Sequence, residues 1–479
     1  MSEPRQLNGW DYASLTLFRG AIASMGIALV AGLVSVIYSV PSVGTAMREA
    51  GVVFANLRPV HTLFAAAWIF LGGLAVLHHC VASRATPMDN GYRWRLRVQM
   101  VAWAIAGIGV LCTLPFGIGS GREYMGAHPL LSIPIAIGWI AFTWNFFRIF
   151  GRGFFAQPVY ITMWGVACIF FLVTFAEQHF WLLLEVFTDP IVDRRIQWKA
   201  TGTLVGSFNL LVYGSLVYVG ERLTGDKQYG HSRLAYALFA VGLLNSFTNF
   251  AHHTYHLPQS HTVKWISFVI SMTELLILLR VLQEILDCLK GRWNTVASPM
   301  RTLWVSVKFW TGAMLFGSLL ISVPMLNTLI HGTTVVAGHA MGTMIGIDSL
   351  ALIAALVWIC TAIPGEYDTR AVAKINGVGF RRAVLGTNWG AGLMVGWLTL
   401  SGVLNGIYRY GSDPTTPFKA WQPDWLVLLH GPLFAVSGIL LFVALGSVTL
   451  TLGGAAFSRF KRVPDSVSGS TQSGGASTS

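Results

Sequence analysis

The chain has 479 residues, 54% of them hydrophobic and only 11% charged, with a formal net charge of +12. So apolar a composition excludes an ordinary water-soluble globule, and the basic residues sit at the ends of apolar runs rather than on one face or arm that would take nucleic acid. Cys80, Cys112, Cys168, Cys288 and Cys360 form no CxxC or CxxCH pattern, so neither a disulfide framework, a zinc site nor a c-type haem is indicated, and core thiols are expected.

A helix needs about 20 apolar residues to cross the hydrocarbon core of a bilayer. Twelve such runs follow one another, centred on Ile27, Phe70, Ala106, Ala136, Phe170, Leu211, Val241, Ser271, Phe316, Ser349, Met394 and Ile439. They predict an all-α, polytopic membrane protein with twelve transmembrane helices. The polar start MSEPRQLNGWDYASLTLF carries no small-residue cleavage site, so the first run reads as a membrane helix rather than a signal peptide. The expected organisation is an amino-terminal extension over 1–16, one membrane domain over 17–455, and a tail over 456–479 that ends in VSGSTQSGGASTS and is too polar to fold. No internal repeat is evident, which argues against a transporter built from repeated halves. Arg84, Arg93, Arg95, Arg97, Arg148, Arg152 and Arg222 all fall on the side of the amino terminus. The excess of positive charge there predicts that both termini are cytoplasmic.

Ionisable and ligand-type residues inside spans are costly and mark candidate sites. The second run begins RPVHTLF, with His61 about one turn inside the outer surface. The sixth, QWKATGTLVGSFNLLVYG, has no histidine but places Asn209 about 15 Å deep. The seventh ends FTNFAHHTYHLP, bringing His252 and His253 near the same outer surface, and the eighth carries Glu274 in SMTELL, 22 residues after His252. In the tenth, HGTTVVAGHAMG places His339 and Met341 at about 12 to 18 Å. Residues two apart on an α-helix point about 200° apart. One helix can therefore offer His339 and Met341 to two flat cofactors on opposite flanks, and imidazole with thioether is a haem ligand set. Adjacent histidines at a helix end can turn both imidazoles to one iron or copper. Each residue alone reads equally as a hydrogen-bonded core histidine, a helix-end residue or a methionine filler. On the residues alone, a haem-containing membrane sensor and a transporter with a histidine-lined path stay open.

Taken together, these residues resemble the catalytic subunit of the haem-copper oxidoreductase superfamily, in its nitric oxide reductase and C-type (cbb-type) oxygen reductase branch. The resemblance implies twelve helices around two b-type haems. In Arg58-Pro59-Val60-His61-Thr62 it implies that His61 ligates the low-spin haem and Arg58 meets a propionate. It gives His252 and His253 to a non-haem iron or copper, and His339, after His331-Gly332-Thr333, to the high-spin haem as proximal ligand. Two departures stand out. Met341 occupies the place of the second low-spin haem histidine, implying a His61/Met341 pair of raised potential. The sixth run lacks the third metal histidine, leaving Asn209 as the polar group in its place, while His179 falls one helix too early.

Glu274 stands where nitric oxide reductases place an active-site glutamate and C-type oxygen reductases have no acid, and the eighth run holds no tyrosine. The implied function is the catalytic subunit of a respiratory nitric oxide reductase in a bacterial-type inner membrane, with His252, His253 and Glu274 catalytic. The alternative is a cbb-type terminal oxygen reductase. Electrons would come from a membrane-anchored cytochrome c or cupredoxin subunit, because this chain has neither a haem c motif nor a copper-binding cysteine pair.

Overall fold

The computed structural model describes residues 9–84, 87–122, 125–183, 188–248, 254–255, 257–292, 296–362, 367–411 and 423–458. Within these residues the chain is helical apart from turns, short connections and one isolated bridge between Gly119 and Ala127. Helices satisfy every backbone polar group internally, as a hydrocarbon surrounding demands.

The principal helices in chain order are α1 (Gly9–Tyr38), α2 (Phe54–Ser83), α3 (Asn90–Thr113), α4 (Pro129–Phe150), α5 (Val159–Glu177) and α6 (Pro190–Thr224). They continue with α7 (Arg233–Thr248), α8 (His261–Leu289), α9 (Ser298–Ser322), α10 (Thr334–Ala362), α11 (Val378–Gly411) and α12 (Asp424–Phe457). Eleven of them are long and apolar enough to cross a membrane. The remaining predicted span, centred on Val241, is α7, which has 16 residues among those described. Among the described residues the chain thus shows eleven helices of spanning length against the twelve expected, with α7 a shorter apolar helix.

Local chemistry sets the helix ends. Asp89, Asp189 and Ser260 accept hydrogen bonds from the first-turn amides of α3, α6 and α8, satisfying donors that have no partner within the helix. Gly225, at φ 71°, closes α6 in the left-handed conformation that glycine adopts without strain. At 35 residues, α6 is about 52 Å long, well beyond a hydrocarbon core. Its first ten residues, PIVDRRIQWK, are the polar excess.

Burial orders the bundle. The most apolar stretches of α6, α10, α5 and α2 are 89%, 78%, 67% and 61% buried inside the protein; α6, α10 and α2 touch one another, and α5 packs along α6. A helix apolar on all sides belongs at the centre. Around them α1 packs on α2 and α12, α3 on α4, and α8 on α7 and α9. Trp68 on α2 donates to Ser349 Oγ on α10 at 3.0 Å, and Trp164 on α5 donates to Leu211 O on α6 at 3.2 Å.

The tenth helix is not uniform. Residues Thr334–Met341 are α-helical, Gly342–Ser349 form a π-helical segment, and Leu350–Ala362 return to α. A methyl group on Gly342 would fall 2.2 Å from Met314 Sδ, and one on Gly346 would fall 2.2 Å from the Trp310 ring. Glycine at both positions lets α9 lie directly on the π-helical backbone. Such segments are rare and concentrate at functional sites.

Candidate active site

His61 projects from α2 toward α1. Its Nδ1 lies 2.8 Å from the carbonyl oxygen of Ala28. A carbonyl only accepts, so Nδ1 carries the proton and the Nε2 lone pair is left free, the arrangement a metal-ligating imidazole requires. Gly32, one turn further along α1, makes room for the ring: a methyl there would stand 2.9 Å from His61 Nδ1. Arg58, one turn toward the amino-terminal end of α2, is exposed.

The tight turn before α10, with Gly332 at φ 76°, starts the helix at Thr334, where Thr333 caps it. His339 therefore lies five residues in, about 7.5 Å from the helix start. The ring faces α9, with Nδ1 3.9 Å from a methyl placed on Gly317. That nitrogen is buried and has no hydrogen-bond partner among the described residues. Met341 ends the α-helical portion, half-buried against the main core. Because the helix is α up to that residue, His339 and Met341 do face different flanks.

Glu274 lies on α8 and is 3% exposed. Asn245 on α7 donates Nδ2 to its Oε2, and Ser271 Oγ donates to Asn245 Oδ1 at 2.9 Å, holding the amide in that orientation. Two groups that the sequence reading passed over stand beside it. The hydroxyl of Tyr213, buried on α6, interacts with the Glu274 carboxylate, and the carboxylate of Asp348, buried in the π-helical segment, faces it electrostatically. Asn209 is one helical turn from Tyr213, on the same face of α6. That i, i+4 spacing could have drawn attention to Tyr213. Asp348 was visible as an acid inside an apolar run.

His252 and His253 lie outside the described residues. Just beyond them, the Tyr255 hydroxyl lies 2.7 Å from Lys264 O and 3.0 Å from Ser322 O and shares its one proton between these acceptors, fastening the chain to α8 and α9. His179 does not join the cluster. Its Nδ1 meets Phe175 O at 2.7 Å and its Nε2 meets Ser132 Oγ at 2.7 Å, so both ring nitrogens are engaged. Its neighbour Glu177 is paired with Lys199 at 2.8 Å.

The sequence over residues 13–434 matches the model of the cytochrome c and quinol oxidase polypeptide I family. The chain belongs to that family. A cryo-EM structure of a haem-copper terminal oxidase dimer aligns with it at a TM-score of 0.72 and 16% identity, over 95% of this chain and 85% of that one; the fold is shared. No curated protein matches the sequence significantly. As a haem-copper oxidase subunit I, the protein is a multi-pass membrane oxidoreductase of respiratory type, from a family that binds haem and works with electron donors such as cytochrome c.

The residues of this subunit I suit such groups. His61 has its distal nitrogen free, and His339 has a buried, unpartnered nitrogen. The Glu274 carboxylate is buried beside the Asn245 amide, the Tyr213 hydroxyl and the Asp348 carboxylate and, among the described residues, forms no ion pair with lysine or arginine. A buried carboxylate without a cation is costly, and a bound metal ion would supply the missing positive charge.

Proposed function

We propose that this protein is the catalytic subunit of a membrane nitric oxide reductase, taking two nitric oxide molecules, two electrons and two protons to nitrous oxide and water. Glu274 carries the reading. It is buried, held by Asn245 and beside Tyr213, and it stands where the resemblance places an active-site glutamate of nitric oxide reductases. In this reading His339 holds a high-spin haem b, His61 and Met341 hold a low-spin haem b, and Arg58 meets a propionate. His252, His253, Glu274 and Asn209 hold a non-haem iron or copper. When bound, these groups supply electrons and two adjacent positions at which both substrate molecules are held for nitrogen–nitrogen coupling, an effect of proximity and charge neutralisation.

The chain's own residues supply order and protons. The Ala28 carbonyl fixes the tautomer and plane of His61. Asn245 orients the Glu274 carboxylate, which balances cationic charge and hands protons to the reacting oxygen. The wall of α6, α10 and α2 excludes bulk water. Electrons come from a membrane-anchored cytochrome c or cupredoxin subunit, and both termini lie on the cytoplasmic side of a bacterial-type inner membrane, as the distribution of arginines supports.

One observation favours a second reading, a cbb-type terminal oxygen reductase. The sequence argument against oxygen rested on the lack of a tyrosine in the eighth run, yet Tyr213 reaches the Glu274 site from α6. A phenol there is placed to give up a proton and an electron together. Haem extraction and metal analysis of the purified complex, with anaerobic nitric oxide and separate oxygen consumption assays, decide between them. Turnover of nitric oxide well above that of oxygen is expected, and the reverse order would move the assignment to oxygen reduction.

A further inference from the structure

Away from the centre, the carboxy-terminal half of α4 and the neighbouring face of α5 form a shallow, open apolar groove of about 440 Å³, lined by Ile140, Thr143, Trp144, Phe147, Arg148 and Leu172. Ile140 and Arg148 are eight positions apart, about 12 Å along the helix, so the groove runs from the end of α4 to about its middle. Arg148, which lines the groove, lies in the last turn of α4, and Arg95 stands near the start of the neighbouring α3, outside the lining. They are gathered round one ring: Arg95 lies 5.3 Å and Arg148 5.6 Å from the centroid of Tyr92. Arg95 also sits 5.8 Å from Trp144, a wall of the groove.

Among the described residues neither arginine has a carboxylate partner. Arg95 spends Nε on Asn145 Oδ1 at 2.6 Å, while its Nη2 is buried with nothing to bond. Positive charge with no carboxylate bonded to it is left unbalanced. A phosphate diester answers that need, since it accepts from several guanidinium donors at once. The apolar slot leading away from the charges adds a requirement that a free anion does not meet. We propose that this groove binds one anionic phospholipid, its phosphate on Arg95 and Arg148 and one acyl chain along Ile140, Phe147 and Leu172. Basic pockets between membrane helices recognise anionic headgroups in this way.

The test is native mass spectrometry of the full chain in detergent, titrated with phosphatidylglycerol, phosphatidylcholine or inorganic phosphate. Wild type should retain one phosphatidylglycerol that Arg148→Gln loses, that phosphatidylcholine does not replace and that inorganic phosphate does not displace. Arg95→Gln should behave alike; should it fail to fold for want of the Asn145 bond, Ile140→Trp, which fills the groove and leaves both charges, should also lose the lipid. Equal retention by Arg148→Gln and wild type, or equal retention of phosphatidylcholine, would reduce the groove to ordinary lipid contact and overturn the proposal. Displacement by inorganic phosphate would leave an anion site without lipid specificity.

Discussion

At the level of single residues, His61 depends on the absence of a side chain at Gly32, where a methyl would approach its Nδ1 to 2.9 Å. Gly32→Val should tilt the imidazole off the Ala28 carbonyl and remove the low-spin haem signature; a wild-type spectrum in that variant would take His61 out of the haem site. Met341 is the second test. Met341→His should keep the haem six-coordinate and lower its reduction potential, because a thioether stabilises reduced iron better than a second imidazole does. Met341→Ala should shift it toward high spin, and unchanged potential and spectrum in the pair would leave Met341 a core filler. Glu274→Gln keeps the shape but deletes the buried charge, so metal per protein and turnover should both fall sharply. His61, His339, Met341 and Glu274 were legible in the sequence because ligand-type or charged side chains are conspicuous in apolar runs. Tyr213 was not, since a tyrosine in a span passes for an apolar filler until the packing shows its hydroxyl beside a carboxylate.

At the scale of elements, the sequence located the helices well and their internal geometry poorly. Alternation of apolar runs and polar gaps set the order of α1 to α12, but the polar extension of α6 over Pro190–Lys199 and the π-helical segment of α10 left no periodic trace. The reason is physical: a buried helix is apolar all round, so nothing in the pattern distinguishes α from π winding. The π segment depends instead on contacts from another helix. Gly346 lies 2.2 Å, by its would-be methyl, from Trp310, so Gly346→Leu should push α9 and α10 apart, lower the melting temperature and disturb the His339 site together. Overpacking of this kind costs about 1–3 kcal/mol in ordinary cores. On the proposed reading, helix position favours one of the two candidate third metal ligands. Asn209 sits on the face of α6 that carries Tyr213, whereas both ring nitrogens of His179 are bonded elsewhere. Asn209→Ala should therefore lose more metal per haem than His179→Ala, and the opposite order would move the third ligand to the end of α5.

Across the whole molecule, α2, α6 and α10 meet at the centre of the bundle, and the candidate haem ligands, Asn209, Tyr213 and Asp348 all lie on these three helices, with Glu274 reaching in from α8. This convergence gives meaning to residues far apart in the chain. His61 and His339 are 278 positions apart (339 minus 61), and only the fold puts both on central helices. Family membership fixes the chemistry as respiratory electron transfer in a membrane, and the choice of substrate rests on the surroundings of Glu274. The most direct measurement of that choice is anaerobic nitric oxide consumption by the purified, metal-loaded complex, with Glu274→Gln alongside and haem and metal quantified on the same samples. The account predicts two haems b and one non-haem metal per chain, nitrous oxide as product, and loss of turnover in the variant with its low-spin haem intact. Full haem and metal content with no nitric oxide turnover, and rapid oxygen consumption instead, would contradict it.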